Sequence, residues 1–157
     1  MQIISESVND TLRLGENISA CLEGGDIICL FGDLGSGKTV LTKGIARGMG
    51  IKKNAVISPS FVLVRQYAGK KLKLCHLDLY RLKKREDILA LGYEEYIYGD
   101  GVTVIEWADR LGYLLPEQYL EVKLSIRQGA QRIFKFNALG RRHRELLSKL
   151  SGKLPIK

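Results

Sequence analysis

Apolar positions along the chain change their period several times, and each change marks an element. Leu12, Leu14, Ile18 and Leu22 recur at roughly helical spacing behind a Ser7-x-x-Asp10 cap, predicting an N-terminal helix that Gly24-Gly25 ends. Ile27–Phe31 is an unbroken apolar run with β-branched residues, the pattern of a strand buried on both faces. A glycine-rich stretch, 32–39, follows. Val40, Leu41, Ile45 and Met49 then form one apolar helical face opposed by Lys43 and Arg47, and Gly48 and Gly50 close it. Residues 61–67 and 72–77 each predict a strand, and the stretch 68–71 between them has hairpin length. Residues 85–91 predict a helix and 102–105 a short buried strand. The segments 119–126 and 133–139 predict a second hairpin around Gln128-Gly129-Ala130, and 141–150 a closing helix with Leu146, Leu147 and Leu150 on one side.

This mixture is α/β, and the two hairpins require antiparallel pairing beside any parallel core. The chain has 157 residues, enough for one domain with one core, and neither an internal repeat nor a low-complexity segment divides it. The simplest partition is a single domain over 1–157, with about 141–157 as a C-terminal helix and loose basic tail. At 45% hydrophobic and 27% charged residues the composition is that of a folded globular protein. No apolar run approaches the ~18 residues of a membrane-spanning helix. Met1-Gln2-Ile3-Ile4-Ser5-Glu6 lacks the basic start and apolar stretch of a secretory signal. A cytoplasmic protein without a membrane partner is expected. Cys21, Cys29 and Cys75 are an odd number and widely spaced, so they read as small buried hydrophobes in a reducing compartment. The net charge of +8 favours a polyanionic partner such as nucleic acid or nucleotide, although basic runs such as Arg81-x-Lys83-Lys84-Arg85, each taken alone, are more often a solvated face than a binding patch.

The strongest chemical signal is Gly32-Asp33-Leu34-Gly35-Ser36-Gly37-Lys38-Thr39, a complete G-x-x-x-x-G-K-[ST] between a predicted buried strand and an amphipathic helix. The glycines let successive backbone N–H groups turn inward, and the following helix aims its positive end at the same point. Asp33, Leu34, Gly35, Ser36, Gly37, Lys38, Thr39 and Val40 are therefore the expected nucleotide-binding residues. Lys38 is expected to reach the β- and γ-phosphates, and the Thr39 hydroxyl to be a ligand of Mg2+. The fold expected around this motif is a P-loop NTPase-like three-layer sandwich with a mixed, partly antiparallel central sheet.

Hydrolysis needs acidic groups as well. Asp78 and Glu106 follow predicted strands, and both carboxylates reach the phosphate edge if those strands run parallel to the one before the glycine-rich loop. The 61–67 strand must then run the other way. Glu106 is assigned to Mg2+ and Asp78 to the attacking water, and the pattern equally allows the reverse. With Lys38, these are the expected catalytic residues. Ser58-Pro59-Ser60-Phe61 occupies the interval where such proteins carry a switch, with Ser58 and Ser60 as its hydroxyls; a simple loop turned by Pro59 fits as well. Trp107 either joins the core or packs over the nucleotide or a partner surface, and His76 reads by itself as a structural histidine.

Taken together, the glycine-rich motif, Ser58-Pro59-Ser60-Phe61, His76-Leu77-Asp78-Leu79-Tyr80-Arg81-Leu82 and Ile105-Glu106-Trp107 resemble the bacterial ATPase family of tRNA threonylcarbamoyladenosine biosynthesis, TsaE or YjeE. The resemblance covers nearly the whole chain and is least distinctive from Tyr113 onward. Departures are Ser36 for the usual Ala, Val40 for Thr, and Ser60 for Thr. The resemblance implies Mg2+-dependent ATP hydrolysis that supports transfer of a threonylcarbamoyl group to a tRNA adenosine. It implies docking on the threonylcarbamoyltransferase subunit and its inactive paralogue, with tRNA met through that complex. His76, Tyr80, Arg81 and Trp107 would lie near the docking face and the nucleotide, and Ser7, Val8 and Arg132 are candidates to approach the base.

Three other readings share parts of the pattern. A small-molecule or nucleotide kinase would use the same loop, with 81–85 as its lid. A GTP switch would use Asp109-Arg110-Leu111-Gly112, but no N-K-x-D motif accompanies it. A nucleic-acid binder would bind tRNA in a salt-dependent way without nucleotide.

Overall fold

The structure is a computed structural model that describes residues 1–52, 55–57 and 63–154. In chain order the elements are β1 (Gln2–Ser5), α1 (Val8–Ser19), β2 (Ile27–Phe31), α2 (Lys38–Gly48), β3 (Val64–Ala68), β4 (Lys73–Asp78), α3 (Arg85–Ala90), α4 (Tyr93–Ile97), β5 (Val102–Glu106), a 3-10 helix (Ala108–Leu114), β6 (Tyr119–Ile126), β7 (Arg132–Leu139) and α5 (Arg141–Lys153). The strands form one sheet in the order β1-β7-β6-β2-β5-β4-β3. β6, β2, β5 and β4 run parallel, while β3 pairs antiparallel with β4, β7 with β6, and β1 with β7. The expected mixed sheet is therefore present, and the strands before Asp78 and Glu106 both run with β2.

Side-chain alternation divides the core between the two sheet faces. Leu30, Leu74, Val104 and Val122 pack with Leu14, Leu41 and Leu146 beneath α1, α2 and α5. Ile27, Cys29, Leu77 and Ile105 pack with Ile88, Ile97 and Leu111 beneath α3, α4 and the 3-10 helix. Three layers result, and all three cysteines are free and buried.

Some boundaries differ from expectation. α1 stops at Ser19 with Ala20 as its C-cap, before Gly24-Gly25. Cys21 N–H to Ile18 O and Leu22 N–H to Ser19 O tighten the chain out of the helix. Gly25, at φ 89°, instead shapes the turn into β2. In α2 the buried side is Leu41, Thr42, Gly44, Ile45 and Ala46, and Val40 is only half-buried. Small residues take the place of bulk there because α1 presses close. Residues 61–62 of the predicted 61–67 strand lie outside the described residues, and the strand begins at Val64. β1, α4 and the 3-10 helix had no sequence signal: each is short, and β1 is held by its pairing with β7.

Candidate nucleotide site

β2 ends at Phe31 and α2 starts at Lys38, so 32–37 must turn the chain at the C-terminal edge of the parallel strands. Gly35 and Gly37 hold φ of 76° and 103°, where a side chain would be strained. α2 has no side-chain cap at Gly37. Its first-turn N–H groups and its dipole are thus left for an anion.

Lys38 is 5% exposed. Its ammonium curls onto the loop, donating to the carbonyl oxygens of Gly32 (2.5 Å) and Asp33 (2.8 Å) and to Ser36 Oγ (3.4 Å). It also lies 3.9 Å from the centroid of the Trp107 ring, a cation–π contact. Burial pushes the Lys38 pKa below the usual lysine value, and the carboxylates of Glu106, Asp78, Asp109 and Asp33 draw it partly back.

Glu106 ends β5 and is buried. Its Oε2 accepts the Thr39 hydroxyl at 2.9 Å. Its Oε1 accepts the Thr42 hydroxyl at 3.3 Å and lies 2.7 Å from His76 Nε2. Asp78 ends β4 directly opposite Glu106 in the β4–β5 register, so the pairing itself sets both carboxylates on one face at one edge. Asp78 Oδ1 also accepts the Tyr80 N–H at 2.9 Å, fixing the turn after the strand.

Trp107 has φ 58° and ψ 44°. Strand alternation would send its side chain to the face opposite Glu106. The left-handed turn brings the indole back over Lys38, at a backbone cost of about 1–3 kcal/mol. The Tyr80 ring lies against it, with centroids 4.9 Å apart and planes at 44°.

These residues enclose a cavity of 340 Å³ lined by Leu34, Gly35, Gly37, Lys38, Thr39, Val40, Asp78, Tyr80, Arg81, Glu106 and Trp107. Most of the residues singled out in the sequence thus converge. Asp33 is exposed on the loop, and Ser36 is buried beneath it against Lys38. His76 is fully buried under the cavity floor, so it touches Glu106 and is not itself part of a docking face. Ser58 and Ser60 lie outside the described residues. Arg132 of β7 donates to the Gly35 carbonyl at 3.2 Å. Ser7 caps α1 through its Oγ, which accepts the Asp10 N–H, and Val8 beside it is exposed. Thr42 was not singled out in the sequence. Its place four residues after Lys38 and three after Thr39, on the same helix face, is the signal that could have found it.

The donor set suits a hard cation. Thr39 Oγ1 and Glu106 Oε2 are oxygens 2.9 Å apart. Adjacent ligands of an octahedral Mg2+ with bonds of about 2.0–2.1 Å have about that separation. Among the described residues no group of three or more His, Cys, Asp or Glu could hold a metal ion by itself. Mg2+ ordinarily takes one or two protein oxygens, with waters and phosphate for the rest.

A larger hollow, 440 Å³, opens at the other end of β2 between Gly25, Tyr98, Gln118 and Arg142. Its charges are already matched, with Arg142 donating to both oxygens of buried Asp26 at 3.0 and 2.6 Å. It lacks the convergent loop and carboxylates of the first.

Fold and site together define a mixed-sheet protein of the P-loop NTPase-like class. Comparison with known proteins narrows this. Residues 5–134 match the family model for the threonylcarbamoyl adenosine biosynthesis protein TsaE. The chain is 41% identical over 126 residues to the tRNA threonylcarbamoyladenosine biosynthesis protein TsaE of Treponema pallidum, covering 80% of this chain and 92% of that one. It is 36% identical over 142 residues to the protein of the same name from Bacillus subtilis, covering 90% and 88%. The crystal structure of Bacillus subtilis YdiB superposes with a TM-score of 0.84 at 32% identity, covering 97% of this chain and 94% of that one. The chain belongs to the TsaE family. Among the described residues no helix is long and apolar enough to cross a membrane.

Proposed function

We propose that this protein is a Mg2+-dependent ATPase that supports threonylcarbamoyladenosine formation in tRNA. The observation that carries the reading is the Thr39–Glu106 contact of 2.9 Å at the rim of the cavity that Lys38 enters. A hydroxyl and a carboxylate from elements 67 residues apart meet beside a phosphate loop, a pairing that a purely structural turn does not need.

The loop N–H groups and the N-terminus of α2 bind the phosphate tail of ATP. The Lys38 ammonium exchanges the carbonyls of Gly32 and Asp33 for β- and γ-phosphate oxygens. Thr39 and Glu106 would hold Mg2+, which when bound would offset the charge on those oxygens. Asp78, on the neighbouring strand, orients the attacking water by accepting one of its hydrogens. Water adds to the γ-phosphorus as its proton passes by way of Asp78 to the phosphate, the bond to the bridging oxygen breaks, and ADP and phosphate leave. Trp107 and Tyr80 wall the cavity and limit the entry of further water.

Membership of a family named for this biosynthesis supports an accessory role beside a threonylcarbamoyltransferase subunit and its inactive paralogue, in the cytoplasm, with tRNA met through that complex. Exposed Tyr80 and Arg81 at the mouth of the cavity give the transferase pair a surface through which to sense nucleotide. Slow intrinsic hydrolysis that such a partner accelerates suits this role.

The test combines calorimetry and phosphate release. Lys38→Ala should abolish tight ATP binding, while Glu106→Ala and Asp78→Ala should retain binding and lose most hydrolysis, with and without the transferase pair. Unchanged ATP affinity in Lys38→Ala, or near-normal turnover in both acidic variants, would refute the reading.

A further inference from the structure

The Glu106 carboxylate is held on both oxygens, and the strongest hold is outside the cavity. Thr42 has one proton to give, and the Lys38 carbonyl, at 3.0 Å, is nearer to its hydroxyl than Glu106 Oε1 at 3.3 Å. The close contact on Oε1 is His76 Nε2, at 2.7 Å. A carboxylate oxygen accepts, so Nε2–H donates this bond, and in the Nε2–H tautomer Nδ1 is an acceptor. Nδ1 is buried and has no hydrogen-bond partner among the described residues.

A buried polar atom without a partner is uncommon and costly. Here the neighbour across the ladder answers it. Arg65 of β3 is directly opposite His76 in the antiparallel register, so both side chains rise on the same sheet face. Arg65 Nε is likewise buried and without a hydrogen-bond partner among the described residues. A donor that cannot accept stands beside an acceptor in need of a donor. The Tyr67 hydroxyl, two residues along β3 on the same face, is a third such atom and makes this patch polar enough to order a water.

We propose that His76 is a positioning residue for Glu106: its Nε2–H fixes the carboxylate so that Oε2 faces Thr39 and the cation, and Arg65 fixes the ring through Nδ1 across one water. This rests on the reading of Glu106 as a Mg2+ ligand. The chain Arg65–His76–Glu106 carries orientation from an edge strand into the cavity, the arrangement by which residues behind a metal ligand tune it. It also accounts for a fully buried histidine inside a strand whose other residues on that face are apolar or acidic.

The experiment measures affinity for a non-hydrolysable ATP analogue by calorimetry on the full chain, in EDTA and across a Mg2+ titration. His76→Leu should keep the EDTA affinity and need about 10–100-fold more Mg2+ for half its effect. His76→Gln, whose amide nitrogen can donate near the place of Nε2, should recover most of the loss, and Arg65→Met should show a smaller shift in the same direction. An unchanged Mg2+ requirement in His76→Leu, or no recovery in His76→Gln, overturns the proposal while leaving the ATPase reading intact. Absence of any Mg2+ effect in the unsubstituted protein and in Glu106→Gln alike overturns both. If His76→Leu does not fold, long-range ¹H–¹⁵N correlation on the unsubstituted protein decides: a protonated Nε2 supports the proposal, and an Nε2 without a proton overturns it.

Discussion

Gly15 and Gly44 let α1 and α2 meet almost backbone to backbone, and the cost of closing that gap can be worked out. A Cβ placed on Gly15 would lie 2.6 Å from Ile45 N, 2.6 Å from Leu41 O and 2.7 Å from the Gly44 carbonyl carbon. Nonbonded atoms sit at about 3.5–4.0 Å, so the helices must part locally by about 0.8 Å or more. None of the three atoms can rotate away, because all belong to the α2 backbone. Overpacking of this kind costs about 1–3 kcal/mol, and with backbone on every side the upper end applies. Alanine returns about 1 kcal/mol of helix propensity. Gly15→Ala should therefore lose about 2 kcal/mol net, which for a domain of this size lowers Tm by about 4–8 °C. Gly152→Ala is the matched control. It lies in the last turn of α5 with nothing within 4 Å of the added carbon, so it should hold or gain about 0.5 kcal/mol. Thermal and urea melts read both. A Gly15→Ala protein as stable as the parent would refute the claim that this contact is tight, and the consequence reaches the site because α2 carries Lys38 and Thr39.

Two further outcomes follow from buried titratable groups. His143 Nε2 accepts the Ile27 N–H at 3.3 Å; burial and, less strongly, Arg142 push its pKa below 6.5, with Asp26 opposing. The unfolded chain then binds a proton that the folded one refuses, so stability is full above pH 6.5 and falls as pH drops toward the folded value. His143→Gln should flatten this part of a Tm-against-pH curve between about pH 5 and 7; identical slopes would refute it. Burial pushes the Cys75 thiol up to about 12 and raises Cys29 further. Thiol reagents at pH 8 should label neither until denaturant is added, and rapid stoichiometric labelling of the native protein would count against the packing.

The readable parts of the chain were those whose chemistry is local. The Gly32–Thr39 motif announces its own turn and helix, and Ile27–Phe31 is too uniformly apolar to lie anywhere but mid-sheet. Asp78 and Glu106 were found because residues at strand ends meet when strands are parallel, and that pairing is what the structure has. The remainder depends on partners distant in sequence. β1 is four residues that only β7 stabilises. Trp107 reaches Lys38 through a left-handed backbone that its residue type disfavours. The burial of Val40 was overestimated because helical periodicity locates a face but not the helix packed on it. Arg65 gave no signal at all: its relevance comes from standing across a ladder from His76.

Strand order also has a consequence for biosynthesis on the ribosome. β2, the strand that launches the phosphate loop, has β5 and β6 as its neighbours, and both are made later. Until Val102 and the residues after it emerge, the β3–β4 hairpin is the one pairing of this sheet that the growing chain can complete, leaving β2 a naked apolar strand with two open edges. Long-range closure of this kind is slow and invites aggregation. A chaperone engaging the chain before β5 appears would find Ile27–Phe31 the most adhesive segment on offer, and a polypeptide released short of Glu106 would carry the glycine-rich loop and Asp78 without the carboxylate that meets Thr39.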